Sequence, residues 1–145
     1  MTPYALAQRF VGEVKELPGN QDHPAIQWAH MLCGLGHSQP DEVPWCSSWL
    51  NLVAWLLGLP RSKSAAARSW LDVGTVIRLD AAVPGYDVVV LKRGTNPAQG
   101  HVGLFAGLHG GRLYLLGGNQ GNTVSIAAFD VADVIGVRRL GEGTR

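Results

Sequence analysis

The chain has 145 residues, 46% hydrophobic and only 16% charged, a profile of one globular domain with a sizeable core that excludes a disordered segment. Its 12 basic and 11 acidic side chains give a net charge of +1 with His neutral, which excludes a strong electrostatic footprint for nucleic acid or an anionic membrane. No apolar run reaches the roughly 20 residues of a membrane-spanning helix. The first residues, MTPYALAQRFVGEVKE, lack the basic and apolar regions of a secretory signal peptide, so synthesis in a cytoplasm without membrane insertion is expected. A reducing compartment then favours free thiols for Cys33 and Cys46 over a single disulfide.

The first third reads as helical. Residues 4–16 place Tyr4, Leu6, Ala7, Phe10, Val11 and Val14 at helical spacing, with Leu17-Pro18-Gly19 as the stop. Pro24 opens a second helix, PAIQWAHMLCG, ended by Gly34 and Gly36. A third follows in DEVPWCSSWLNLVAWLLG, residues 41–58. Asp41 or Glu42 can cap it, Pro44 suits its first turn, and Gly58 and Pro60 close it. A short fourth helix is expected over Ser64 to Leu71. Past residue 80 the period changes to that of strands: 87–92, 101–107, 112–117, 123–129 and 134–140, joined by turn-rich segments. Nineteen glycines and eight prolines fit such short connections. Helices first and strands after predict one α+β domain over 1–145, with helices packed on a mainly antiparallel sheet of five to six strands.

The third helix carries a cysteine at its head. There Cys46 meets unpaired backbone N–H groups and the positive end of the macrodipole, both of which favour thiolate. Asp41 and Glu42 oppose that effect, so activation is expected chiefly from a histidine partner. The competing reading is that Cys46 is a small buried hydrophobe. Of five histidines, His101 stands apart, because it opens a strand directly after Gly100 and can project from the strand end toward a facing helix. An orienting group would complete a nucleophile–base–orienter set. The following strand runs out into Gly117-Gly118-Asn119-Gln120, which offers the Asn119 amide. Gln120 is the rival, since one residue of register moves a side chain to the other face. Trp45 and Trp70 are candidate groove walls along with Gln120, although aromatics at helical spacing commonly pack in a core. Asp87 suits a turn or strand cap better than a substrate contact. His30, Cys33 and His37, with His23, offer an alternative of another class, a zinc module, but Gly34 and Gly36 interrupt the helix that would align them.

In order, the segments DEVPWCSSWLNLVAWLLGL, SAAARSWLDVG, GYDVVVLKRG, GHVGLFAG, LYLLGGNQGNTVSIAAF and VIGVRR resemble the papain-like peptidoglycan hydrolases of the CHAP and NlpC-type cysteine amidase/endopeptidase superfamily, in particular small bacterial and phage-borne, endolysin-like members. The resemblance runs from VKELPGNQDHPAIQWAH to VIGVRR. It implies a papain-like fold with Cys46 as nucleophile, His101 as general base and Asn119 as orienter. The implied reaction is hydrolysis of an amide in the peptide part of peptidoglycan, by an N-acetylmuramoyl-L-alanine amidase or a stem-peptide endopeptidase. An interbacterial amidase toxin or an acyltransferase on the same fold is the alternative. The partner implied is the stem peptide in the cell wall, met by a monomer. Calcium-binding members carry acids before the cysteine, whereas only Asp41 and Glu42 stand here, so no metal or other cofactor is expected.

Overall fold

A computed structural model describes residues 1–18, 23–35 and 44–141. Three α-helices come first: α1 (Pro3–Gln8), α2 (Pro24–Leu32) and α3 (Cys46–Leu56). A six-residue 3-10 helix (Ala67–Asp72) stands where the fourth helix was expected. The strands are β1 (Thr75–Val76), β2 (Asp87–Lys92), β3 (Gly100–His109), β4 (Arg112–Gly117), β5 (Ser125–Asp130) and β6 (Val134–Arg139). They form one antiparallel sheet in the order β1-β6-β2-β3-β4-β5. The architecture is α+β.

Strand β2 shows why the sheet is central. Val88 and Val90 face the helices, while Val89 and Leu91 face the opposite side, as the two-residue period requires. On the helical side Trp49, Leu50, Val53 and Trp70 pack on Val88, Val90, Val102, Leu104 and Leu116. On the other side Phe105, Leu113, Leu115 and Val137 are covered by Ile77, Leu79 and Ala82. The sheet is therefore buried on both faces, which explains the near-continuous apolar run of β2. The β3–β4 hairpin turns through Gly110 and Gly111 at φ +57 and +76, the left-handed pair a two-residue hairpin loop needs.

Two expectations change. Helix α1 ends at Gln8 rather than running to residue 16. Gly12 adopts φ +76 and its N–H bonds to the Val124 carbonyl, while Lys15 bridges to Thr123, so a distant partner captures the backbone that local periodicity assigned to a helix. Helix α3 starts at Cys46, with Trp45 as N-cap and no side-chain cap bond, so Pro44 precedes the helix instead of lying in its first turn. The proposed caps Asp41 and Glu42 lie outside the described residues. Helix α3 is buried along Cys46–Ala54, including three polar side chains, each tied to a partner. Ser47 Oγ donates to the Ser64 carbonyl and accepts from Trp70 Nε1. Asn51 Nδ2 donates to the Ser47 and Ser64 carbonyls, and its Oδ1 accepts from the Lys63 N–H. These bonds strap segment 61–64 onto the helix and hold its head against the sheet.

Candidate active site

Cys46 is the first residue of α3, and the residue is 6% exposed. The backbone N–H groups of Val102 on β3, and of Ser47 and Cys46 at the helix head, favour the charged form of the Cys46 sulfur. Val102 directly follows His101 in β3. Both Cys33 and Cys46 are free thiols. Burial pushes the Cys46 thiol above its ordinary range; the Val102 N–H, the nearby Arg93 guanidinium and the helix-head N–H groups all oppose this and are outweighed. The helix head thus favours the thiolate, but it does not by itself produce one.

His101 is 2% exposed, and burial pushes its pKa down to about 4, against the opposing effect of its hydrogen bond to Gln120 and with Arg93 acting in the same direction as burial. At neutral pH the Cys46 thiol and the His101 imidazole therefore both rest uncharged. Phe129 stacks on the ring at a centroid distance of 5.1 Å and 27°.

Hydrogen bonding fixes which ring nitrogen carries the proton. Gln120 Nε2 donates to the carbonyls of Leu115 at 3.1 Å and Ser125 at 2.8 Å. Two carbonyls can only accept, so the amide nitrogen must face them and Oε1 must face His101. That oxygen lies 2.9 Å from His101 Nε2, and because it is an acceptor, Nε2 carries the hydrogen. Nδ1 is left with its lone pair, which is the nitrogen a neighbouring thiol requires of a base.

The hydrogen bond expected of Asn119 is thus made by Gln120. Asn119 sits at φ +59 where the chain reverses after β4, and it is the next side chain that folds back over the strand. The glycines before it give the space. A Cβ at Gly117 would stand 2.5 Å from Gln120 Oε1, and one at Gly118 would stand 2.7 Å from the Trp45 ring.

Two recesses open at this pair. One, of about 260 Å³, is lined by Cys46 with Pro44, Ala66 and Gln99; the other, of about 250 Å³, by His101 with Asn119, Gln120 and Phe129. Arg93, just past the end of β2, lines both, and its Nη2 stands 3.4 Å from His101 Nδ1. Sequence inspection passed over Arg93, and nothing distinguishes it there from the basic Lys92 beside it.

Trp45 and Trp70 are not groove walls. Both are fully buried, with indole N–H groups spent on Glu16 Oε2 at 3.0 Å and Ser47 Oγ at 2.9 Å. Asp87 is fully buried too and holds Arg139 through two bonds of 2.7 and 2.8 Å, tying β2 to β6. Among the described residues no three His, Cys, Asp or Glu side chains gather as a metal site. His37 of the alternative cluster lies outside them. Among the described residues no helix is long and apolar enough to cross a membrane.

The fold is papain-like. Solved structures similar to it include NlpC1 from Trichomonas vaginalis, with a TM-score of 0.56 and 20% identity over 95% of this chain and 42% of that one. Another is an NlpC/P60 family protein from Bacillus cereus, with a TM-score of 0.49 and 14% identity over 72% of this chain and 32% of that one. This chain spans less than half the length of either. At such identities the likeness is one of fold. No protein-family model matches the sequence, and no curated protein matches it.

Proposed function

We propose that the protein is a cysteine amidohydrolase that cleaves an amide in the peptide part of peptidoglycan, with an endolysin-like role at the cell wall. The observation that carries this is the oriented imidazole: Gln120 accepts the hydrogen bond from Nε2–H and leaves the Nδ1 lone pair to serve as the base. The papain-like architecture and the segments that resemble wall hydrolases support the substrate class.

In this mechanism the Sγ proton of Cys46 passes to His101 Nδ1 as sulfur attacks the amide carbonyl carbon. The Cys46 backbone N–H at the helix head donates to the oxyanion that forms; one such donor is worth about 3 kcal/mol of barrier. The sequence assigns no second donor; Gln39, a guess for that role, lies outside the described residues. Nδ1–H then protonates the leaving amine, the C–N bond breaks, and a thioester remains. Water attacks it with Nδ1 as base, releasing the acid and restoring the thiol. Because the resting pair is neutral, proton transfer accompanies attack rather than preceding it.

Mass spectrometry of purified peptidoglycan digested by the protein tests the proposal. New amino termini or a freed muramic acid lactyl group are expected and would name the bond. Intact wall polymer after incubation with folded protein would refute it.

A further inference from the structure

We infer that Arg93 is the specificity residue of this site, pairing a carboxylate that the substrate carries beside the scissile amide. The inference deepens the amidohydrolase proposal and rests on it for the word substrate. Its first ground is position. Arg93 is exposed and is shared by the recess of Cys46 and the recess of His101, so a chain laid from one to the other passes its guanidinium.

A second ground is the absence of a structural task among the described residues. The ion pairs there are Arg78–Asp80 and Arg139–Asp87, and neither involves Arg93. Arg68 shows the contrast, because its Nε is spent on the carbonyl of Gln99, a lining residue of the Cys46 recess, at 2.7 Å. Arg93 has a single long contact, 3.4 Å to His101 Nδ1, which leaves most of a five-donor fork unspent among the described residues. Among the described lining residues of both recesses there is no carboxylate, and Arg93 is the one permanent charge.

The third ground is chemical. A guanidinium beside Nδ1 competes with the thiol for that lone pair and repels the imidazolium that must form. Such a placement hinders the reaction until an anion arrives. A substrate carboxylate engaging the fork in bidentate fashion would draw Nη2 away from Nδ1 and cancel its charge, so binding an acid also frees the base.

Alkylation of the full-length protein decides this without any hydrolysis. Iodoacetate and iodoacetamide transfer similar groups to sulfur and expel iodide, but only the first carries a carboxylate. Peptide mass mapping follows Cys46 in wild type, Arg93→Gln and Arg93→Lys. The iodoacetate-to-iodoacetamide rate ratio at Cys46, normalised to glutathione, is expected to fall about tenfold in Arg93→Gln and to be partly retained in Arg93→Lys. A ratio unchanged in Arg93→Gln would overturn the proposal. A second arm uses peptidoglycan fragments with free carboxylates and the same fragments after amidation. Arg93→Gln should raise KM for the free acids alone; an equal loss of kcat on both would mean an oxyanion donor and would also overturn it. If wild type cleaves neither fragment while the alkylation ratio still depends on Arg93, the amidohydrolase proposal falls and the carboxylate site stands.

Discussion

Among the described residues two cysteine–histidine sets invite comparison, and the proposed mechanism uses only one of them. His30 and Cys33 lie on and just after α2, where His30 is fully buried and its Nδ1 meets Ser48 Oγ at 2.8 Å. Ser48 also bonds to Cys33, a half-buried thiol that burial pushes up and that Ser48 and Arg61 pull down. A hydroxyl therefore stands between sulfur and ring, and the group lies where α2 packs on α3. His101 and Cys46 come from different layers, helix head and sheet, and each borders an open recess. A buried imidazole is common to both. What differs is the helix-head N–H array around the sulfur, the amide that fixes the tautomer, and space for a substrate.

The largest effect should separate the two neighbourhoods outright. Cys46→Ser and His101→Ala are expected to lower release of amino groups from peptidoglycan by at least about 10³-fold, with the fold retained by circular dichroism. Cys33→Ser should stay within about twofold of wild type, since no step uses that sulfur. A lethal Cys33 change with an active Cys46→Ser protein would reverse the assignment.

Next comes pH. The folded-state pKa of His101 lies near 4 against an ordinary value of 6.5. Between these values the unfolded chain binds the extra proton, so stability is full above about 6.5 and falls as pH drops toward 4. The loss is on the order of 3 kcal/mol, from a 1.36 kcal/mol cost per unit of pKa. Urea unfolding at pH 7 and pH 4 measures it, and His101→Gln should remove most of the difference specific to this ring. If the variant lost as much stability as wild type on acidification, the drop would belong to other groups.

A smaller effect is expected at the orienting amide. Gln120→Ala leaves His101 Nε2–H without its acceptor, worth about 1–3 kcal/mol, or on the order of 10- to 100-fold in rate. Asn119→Ala should cost less, because no hydrogen bond from Asn119 to the ring exists in the structure. Nitrogen chemical shifts of His101 give an independent readout, since Gln120→Ala should mix the two tautomers. Equal losses from both variants, with the tautomer unmoved, would contradict the orientation inferred for Nε2.

Much of this arrangement was legible in the sequence for identifiable reasons. Strands β2 and β4 were read to their end residues, because their apolar runs stop against Lys92-Arg93-Gly94 and against Gly117-Gly118. The placement of Cys46 at a helix head and His101 at a strand opening followed from Pro44 and Gly100 as punctuation. What escaped was non-local. The pairing of residues 12–16 with 122–124 shortens α1, and no window of the sequence contains both partners. The choice between Asn119 and Gln120 turned on one left-handed residue, which Asn119 supplies while both neighbours are plausible turn formers. Arg93 reads as an ordinary basic residue after a strand until the loop brings it back to His101.

Trp45 and Trp70 were ambiguous for the opposite reason, since an aromatic at helical spacing looks the same whether it lines a core or a groove. Their indole N–H groups separate the possibilities. Trp70 Nε1 donates to Ser47 Oγ, which in turn donates to the Ser64 carbonyl, so the ring links the 3-10 helix to the head of α3 from inside. Trp70→Phe keeps most of the buried ring and removes that donor, while Ser47 keeps its bond to Ser64. The expected cost is about 1–2 kcal/mol of stability, measured by urea unfolding. KM for peptidoglycan fragments should stay within about twofold of wild type, because the ring contacts the helix that carries Cys46 and not the recess in front of it. A raised KM with unchanged stability would return Trp70 to the groove. The smallest of these effects thus asks the same question as the largest, whether a residue serves the site by touching the substrate or by holding the sulfur in place.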